Sequence, residues 1–186
     1  MPRGAPRLTL LAQVSGLLVG RGIHHAVIGA AALAAHGVAR ATVDLDLLAT
    51  DPACLDEQAW EDLRSIGVAV EIRRGDEVDP LAGVVRVVLK DEPPIDLIVG
   101  KRSWQHEVLG RATPIRIGDA EVPMVRAADL ILLKLYAGGP QDAWDIDQLL
   151  DVDPSVVTDV EATLRSLPEE CALLWRRIRA QRAPSS

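Results

Sequence analysis

Two aspartates separated by a single leucine, Asp44 and Asp46, lie in an apolar segment that runs from Val43 to Leu48. Side chains alternate between the two faces of a strand, so both carboxylates would share one face while the neighbouring apolar residues enter the core. Two such charges repel by about 4 kcal/mol at an effective dielectric near 20, against a total domain stability of about 5–15 kcal/mol. The pattern therefore predicts either a compensating cation or a water-exposed strand end that screens the charges.

A third acid is embedded in a second apolar strand. Asp96 lies between Ile95 and Leu97, directly after the pair Pro93-Pro94. Carboxylates are rare in such runs unless they are paired or bind a metal. If the Asp96 strand neighbours the Asp44–Asp46 strand, three hard oxygen ligands converge, which suits Mg²⁺ or Mn²⁺ completed by substrate phosphates. Two such ions would support phosphoryl or nucleotidyl transfer.

The order of the patterns predicts the domain organisation. The chain has 186 residues, which suits one domain or one domain with a helical extension. We predict an α+β fold with a small, mixed, mostly antiparallel sheet and flanking helices over residues 1–126, and a C-terminal helical lobe over 127–186. The predicted strands cover 26–28, 43–49, 68–72, 84–90, 95–99, 113–117 and 121–125. The predicted helices cover 8–21, 30–35, 56–66, 103–109, 127–136, 141–151, 155–166 and 168–182.

A small-residue turn connects the first strand to the first short helix after it. Gly29 and Ala30 begin that helix, where backbone N–H groups could bind an anion. Close packing of a helix on a sheet explains Gly29 equally well. Arg40 and Thr42, just before the acids, could contact a phosphate or could hold the turn.

A lysine interrupts the apolar pattern of a later helix. Lys134 lies beside the leucine-rich stripe, so it either extends to the surface or enters a cleft where a triphosphate could bind. Asp142 and Asp145 share one face of the next helix at a spacing of three residues. They could position Lys134, or they could favour the helix N-terminus.

These motifs together resemble the polymerase-β-like nucleotidyltransferase superfamily, in which a Gly-Gly or Gly-Ser turn precedes Asp-x-Asp and a third Asp lies on a later strand. The chain is most similar to the AbiEii-type group, whose Arg-x-Thr-x-Asp-x-Asp run corresponds to Arg40, Thr42, Asp44 and Asp46. The lysine helix and the Asp-x-x-Asp helix of that group correspond to Lys134, Asp142 and Asp145.

The resemblance implies a palm-like sheet and transfer of a nucleoside monophosphate from an NTP to a hydroxyl. It implies metal binding by Asp44, Asp46 and Asp96, and nucleotide binding by Gly29, Ala30, Arg40, Thr42, Lys134, Asp142 and Asp145. Asp96 would also assist deprotonation of the acceptor. The acceptor would be tRNA, a protein or a small molecule, and the setting a toxin with an antitoxin protein.

Two departures from the family pattern support a rival interpretation. Ala30 replaces the Gly or Ser of the turn, and Gly138-Gly139 replaces an arginine often found between the lysine and the acid pair. A catalytically weakened module that binds a nucleotide or a partner would tolerate both changes. The three retained acids argue against it, because a chain without a metal would be expected to lose their mutual repulsion.

Composition narrows the partner classes. The formal net charge is −7, and the chain has no Phe and one Tyr. Both features disfavour a broad nucleic-acid surface with stacking platforms, although they leave room for a local basic patch. The N-terminal apolar segment is interrupted by polar residues and lacks a signal cleavage site, and Cys54 and Cys171 match no metal-ligand spacing. We therefore expect a cytoplasmic protein that does not contact a membrane.

Overall fold

A seven-stranded mixed sheet forms the centre of the computed structural model, which describes residues 8–39 and 44–182. Its strands are β1 (His25–Ile28), β2 (Leu45–Ala49), β3 (Ala69–Arg74), β4 (Leu81–Val88), β5 (Ile95–Gly100), β6 (Thr113–Ile117) and β7 (Ala120–Met124). The strand order is β3-β4-β5-β2-β1-β7-β6. The pairs β2–β5 and β1–β7 are parallel, and the other four are antiparallel.

The helices pack around this sheet. They are α1 (Leu10–Gly20), α2 (Gly29–Ala35), α3 (Glu61–Ser65), α4 (Ser103–Gly110), α5 (Ala127–Ala137), α6 (Pro140–Val152), α7 (Val157–Thr163) and α8 (Glu169–Arg182). The central helix of the C-terminal half, α5, contacts α2 from the N-terminal half as well as α6, α7 and α8. The mixed, mostly antiparallel sheet with flanking helices confirms the predicted fold class.

One face of the sheet is buried and the other is partly open on the side of β3. In β5, Ile95, Leu97 and Val99 are fully buried, whereas Asp96 and Ile98 alternate with them on the more accessible face. Strand β4 repeats the pattern, with Val85 and Val87 buried. Because strand side chains alternate between faces, burial of the apolar residues places the residues between them, including Asp96, on the open face.

Two predicted helices are less regular than the sequence pattern indicates. The segment 56–66 contains a 3₁₀ turn, Glu57–Trp60, before the short α3, and the segment 155–166 has 3₁₀ turns on both sides of α7. The Trp60 ring is fully buried, and its Nε1 donates a hydrogen bond to the Cys54 carbonyl oxygen at 2.8 Å. This local hydrogen bond, between residues six positions apart, accompanies the tighter 3₁₀ turn.

The two cysteines are in the state that the sequence predicts. Cys54 and Cys171 are both free and buried. Within the described residues, the helices are too short or too polar to cross a membrane.

Candidate active site

The sheet register brings two of the predicted acids side by side. Asp46 on β2 is directly opposite Asp96 on the parallel strand β5. Asp44 is exposed and immediately precedes β2. The negative charges of Asp96 and Asp44 both act on Asp46, which is half-buried near the start of β2.

Burial and charge make Asp46 the most perturbed of these acids. Burial first, then the charges of Asp96 and Asp44, raise its pKa to about 6. The positive charge of Lys134 and a hydrogen bond from the Ala30 N–H oppose the rise without cancelling it. Charged groups poised in this way are typical of functional sites.

Gly29 allows the main chain to approach Asp46 closely. Its φ is +62°, and a Cβ at this position would lie 2.8 Å from Cγ of Asp46. Residue 28 of β1 pairs with Asp46, so α2 begins directly beside the acid. A side chain at position 29 would therefore displace the carboxylate, and both interpretations of Gly29, close packing and a role in the site, agree with this geometry.

A buried lysine is close enough for its positive charge to act on Asp46. The Lys134 Nζ donates hydrogen bonds to Asp145 Oδ2 at 2.6 Å and to Asp142 Oδ1 at 3.1 Å. The Asp145 side chain is 1% exposed and that of Lys134 is 10% exposed. Asp142 also accepts a hydrogen bond from the Gly139 N–H at the start of α6. Both sequence interpretations of the acid pair therefore hold, since it positions Lys134 and caps the helix.

Sequence reasoning missed Arg86 as a site residue. Arg86 is directly opposite Asp96 across β4 and β5, and its Nη1 lies 2.7 Å from Asp96 Oδ2. On its other side it is opposite Glu71 of β3. Alternation between Val85 and Val87 indicates that Arg86 faces away from the core, but only the strand order reveals which acid it meets.

A cavity of about 320 Å³ extends from the acids over the outer strands. Asp46 and Asp96 line its inner end, and Glu71, Arg73 and Arg86 line the rest together with Val84 and Ile98. The Arg73 Nε donates a hydrogen bond to Glu71 at 2.8 Å. The site thus has an acidic inner end and an outer end that carries both charges.

The acids of the site supply part of what a divalent cation needs. Within 8–39 and 44–182, no three His, Cys, Asp or Glu side chains form a ready-made metal cage. Asp44 and Asp46 nevertheless supply hard oxygen donors, and burial together with the charges of Asp96 and Asp44 raises the pKa of Asp46, which a bound cation would offset. This donor set fits a Mg²⁺ ion that completes its shell with waters and substrate phosphates. Arg40 and Thr42, two of the predicted nucleotide-binding residues, lie outside the described residues.

Solved structures show which class this architecture defines. An antigenic nucleotidyltransferase-like protein from Paracoccidioides brasiliensis is 16% identical, with a TM-score of 0.52 over 92% of this chain and 91% of that one. A candidate nucleotidyltransferase from Thermotoga maritima is 12% identical, with a TM-score of 0.51 over 80% of this chain and 99% of that one. The fold is that of the nucleotidyltransferases.

The sequence places the chain within that class. A family model described as nucleotidyl transferase of unknown function (DUF2204) matches residues 7–179. The chain belongs to this family. No curated protein matches it.

Proposed function

We propose that the protein is a Mg²⁺-dependent nucleotidyltransferase that moves a nucleoside monophosphate from an NTP to a hydroxyl acceptor. The observation that carries the proposal is the register of Asp46 with Asp96, with Lys134 close enough to act on Asp46. Acids that can bind a metal ion, with a buried cation near them, suit a triphosphate bound together with its metal. Mn²⁺ offers the same ligand chemistry.

Each residue has a proposed role in this reaction. Asp44 and Asp46 would hold the metal, with Asp96 as a further ligand. The bound ion would supply positive charge against the negative charge that develops on the phosphate oxygens. Lys134 would bind the triphosphate and is held for that task by Asp142 and Asp145. Gly29, Ala30, Arg40 and Thr42 remain proposed phosphate contacts by resemblance.

The bond changes follow from the acceptor's chemistry. The acceptor oxygen forms a bond to the α-phosphorus while the bond from that phosphorus to the oxygen bridging the β-phosphate breaks. Pyrophosphate leaves, and the acceptor proton passes to the Asp96 carboxylate. The Arg86 guanidinium keeps this carboxylate oriented through its ion pair with Oδ2.

The biological setting is proposed from the resemblance to the AbiEii-type group. In that setting the protein is a cytoplasmic toxin or defence protein controlled by an antitoxin protein. A catalytically weakened nucleotide-binding module is the competing function.

Label transfer separates the two functions. The protein is incubated with Mg²⁺, cell extract and each α-³²P-labelled NTP, beside an Asp44→Asn/Asp46→Asn variant and an Asp62→Asn control on the exposed surface of α3. We expect label on an acceptor from the wild type and the control, and none from the double variant. Thermal melting with Mg²⁺ and NTP measures binding independently. A nucleotide-induced shift without transfer would favour the binding module, and neither shift nor transfer would refute both.

A further inference from the structure

We infer that the acceptor carries an anionic group, a phosphate or a carboxylate, beside the hydroxyl that reacts, and that Arg73 and Arg86 bind it. The inference rests on the proposed function and assigns the acceptor class of the same site. Its physical basis is the cavity over β4 and β3, where Glu71, Arg73 and Arg86 have no proposed part in holding the nucleotide.

The position of Asp46 separates the site into two sides. Toward β1 lies the Gly29 turn at the start of α2, and Lys134 acts on Asp46 from α5, a helix that contacts α2; the triphosphate is proposed to bind here. Toward the edge of the sheet lie Asp96, then Arg86, then Glu71, each directly opposite the next across neighbouring strands. An acceptor whose hydroxyl reaches Asp96 must therefore extend over β4 and β3.

Charge decides what this outer side can bind. Beyond Asp96, the cavity presents two guanidinium groups, Arg73 and Arg86, and one carboxylate, Glu71; Arg86 contacts Asp96 through Nη1, so an anion would be bound by its other N–H groups and by Arg73. Guanidinium groups match phosphates and carboxylates with paired N–H donors. The ion pair of Arg73 with Glu71 is exposed, with 74% and 58% of the side chains accessible, so a ligand anion can replace the carboxylate at small cost. A polycationic acceptor would meet the two arginines instead.

The size and lining of the cavity limit the rest of the acceptor. Neighbouring strands lie about 4.8 Å apart, which places the anionic group about 5–10 Å from the reacting hydroxyl. The floor is formed by Val84 and Ile98, and within the described part of the chain no aromatic ring lines this cavity. Recognition therefore depends on charge rather than stacking. A sugar phosphate has this spacing, as does the terminal nucleotide of an RNA.

The test measures transfer to charged and neutral acceptors by the wild type and by variants, and the KM for NTP shows whether the nucleotide site is unchanged. Acceptors are ribose 5-phosphate, a short RNA with a free 3′ hydroxyl, neutral ribose and a polycationic aminoglycoside, each with Mg²⁺ and labelled NTP. We expect transfer to one or both anionic acceptors only. Arg73→Gln should raise the KM for that acceptor about tenfold, as for the loss of a charge-assisted hydrogen bond, with Arg73→Lys restoring part of it. The KM for NTP should not change.

Glu71→Gln gives a result of opposite sign, which a merely structural role would not produce. Removing its charge frees Arg73, so the KM for the anionic acceptor should fall about threefold. Arg116→Gln is the matched control, because Arg116 is exposed on β6 at the opposite edge of the sheet. Preferred transfer to the neutral or cationic acceptor would overturn the inference.

Binding without turnover distinguishes failure of this inference from failure of the proposed function. The nucleotide site is filled with a non-hydrolysable NTP analogue. Calorimetry then measures the binding of ribose 5-phosphate and of the RNA to the wild type, Arg73→Gln and Arg116→Gln. Binding lost only in Arg73→Gln supports the anionic subsite even if no transfer is found. Absence of binding, or equal binding by Arg73→Gln, overturns the inference even if the NTP is turned over.

Discussion

Arg86 and Asp96 form an ion pair across two antiparallel strands, with 2.7 Å between Nη1 and Oδ2. Asp96 therefore balances a cation of its own sheet, whereas Asp46 beside it has no equally close positive partner on the sheet among the described residues. The two acids therefore differ in their surroundings. Asp96 is held by Arg86, whereas Asp46 is half-buried and subject to the negative charges of Asp96 and Asp44.

Asp46→Asn should stabilise the ligand-free protein at pH 8. The folded-state pKa of Asp46 is raised from 3.8 to about 6, so the folded protein binds more protons than the unfolded chain between these values. Its ionisation therefore costs stability that increases as pH rises through this window and is complete above it. After allowance for solvent screening, we expect a gain of about 1 kcal/mol at pH 8 and less at pH 4.5 by urea unfolding. Asp62→Asn is the control, and a gain independent of pH would contradict the assignment.

Gly29→Ala should destabilise the protein and abolish transfer. The left-handed backbone at φ +62° costs an alanine about 1–2 kcal/mol, and its Cβ would also displace Asp46. Urea unfolding measures the first effect and label transfer the second. Gly110→Ala is the matched control, since a Cβ there meets no atom within 4 Å. If Gly29→Ala behaved like Gly110→Ala, the close approach of α2 to the acid would be refuted.

Lys134→Met should destabilise the protein by about 2 kcal/mol, because it removes the ammonium group that the buried Asp145 carboxylate contacts at 2.6 Å. Lys134→Met/Asp145→Asn should recover part of the loss, giving a coupling energy above about 1 kcal/mol in a double-mutant cycle. The exposed pair Arg73–Glu71 provides the control cycle, with coupling below about 1 kcal/mol. Equal coupling in both cycles would contradict a buried, structurally required lysine.

The buried His25 should make stability depend on pH below neutrality. Burial lowers its pKa from 6.5, and the neutral ring bridges Ser15 Oγ at 2.8 Å and the Ile23 carbonyl oxygen at 3.2 Å. Because the unfolded chain takes up the proton first, the stability from neutral His25 is complete above pH 6.5 and falls as pH decreases from 6.5 toward the folded-state pKa.

Urea unfolding at pH 5.5 and 7.5 tests this dependence. His25→Gln should flatten the loss of stability, whereas His24→Gln, at the exposed neighbouring position, should retain it. A wild-type protein equally stable at both values would refute the prediction.

The acids of the site were predictable from sequence, and their cationic neighbour was not. A carboxylate inside an apolar strand is costly, so Asp46 and Asp96 are conspicuous in the sequence alone. Arg86 is an ordinary outward-facing residue of β4 by pattern. Its role depends on the placement of β4 beside β5, which is set by the packing of the whole sheet.

In the C-terminal half, too, the local sequence pattern predicted the helices and their faces, whereas the contacts between helices depended on how the chain folds back. The spacing of Asp142 and Asp145 predicted a shared helix face, and the apolar pattern placed Lys134 beside the core. Whether the acids met the lysine or only capped their helix depended on the turn at Gly138-Gly139, which determines how α6 folds back on α5. In the segment 56–66, the apolar pattern predicted one helix and did not show the 3₁₀ turn that precedes α3.

The backbone ladder between β2 and β5 also limits how the acid pair can vary. Ladder hydrogen bonds fix Asp46 opposite Asp96, and a shift of one residue would turn the Asp46 side chain to the other face of the sheet. The strand spacing of about 4.8 Å thus fixes the separation of the two backbone positions, which cannot change by small amounts. The distance between the two carboxylates can therefore change only by side-chain rotation. Arg86 restricts this rotation for Asp96, and the Ala30 N–H restricts it for Asp46.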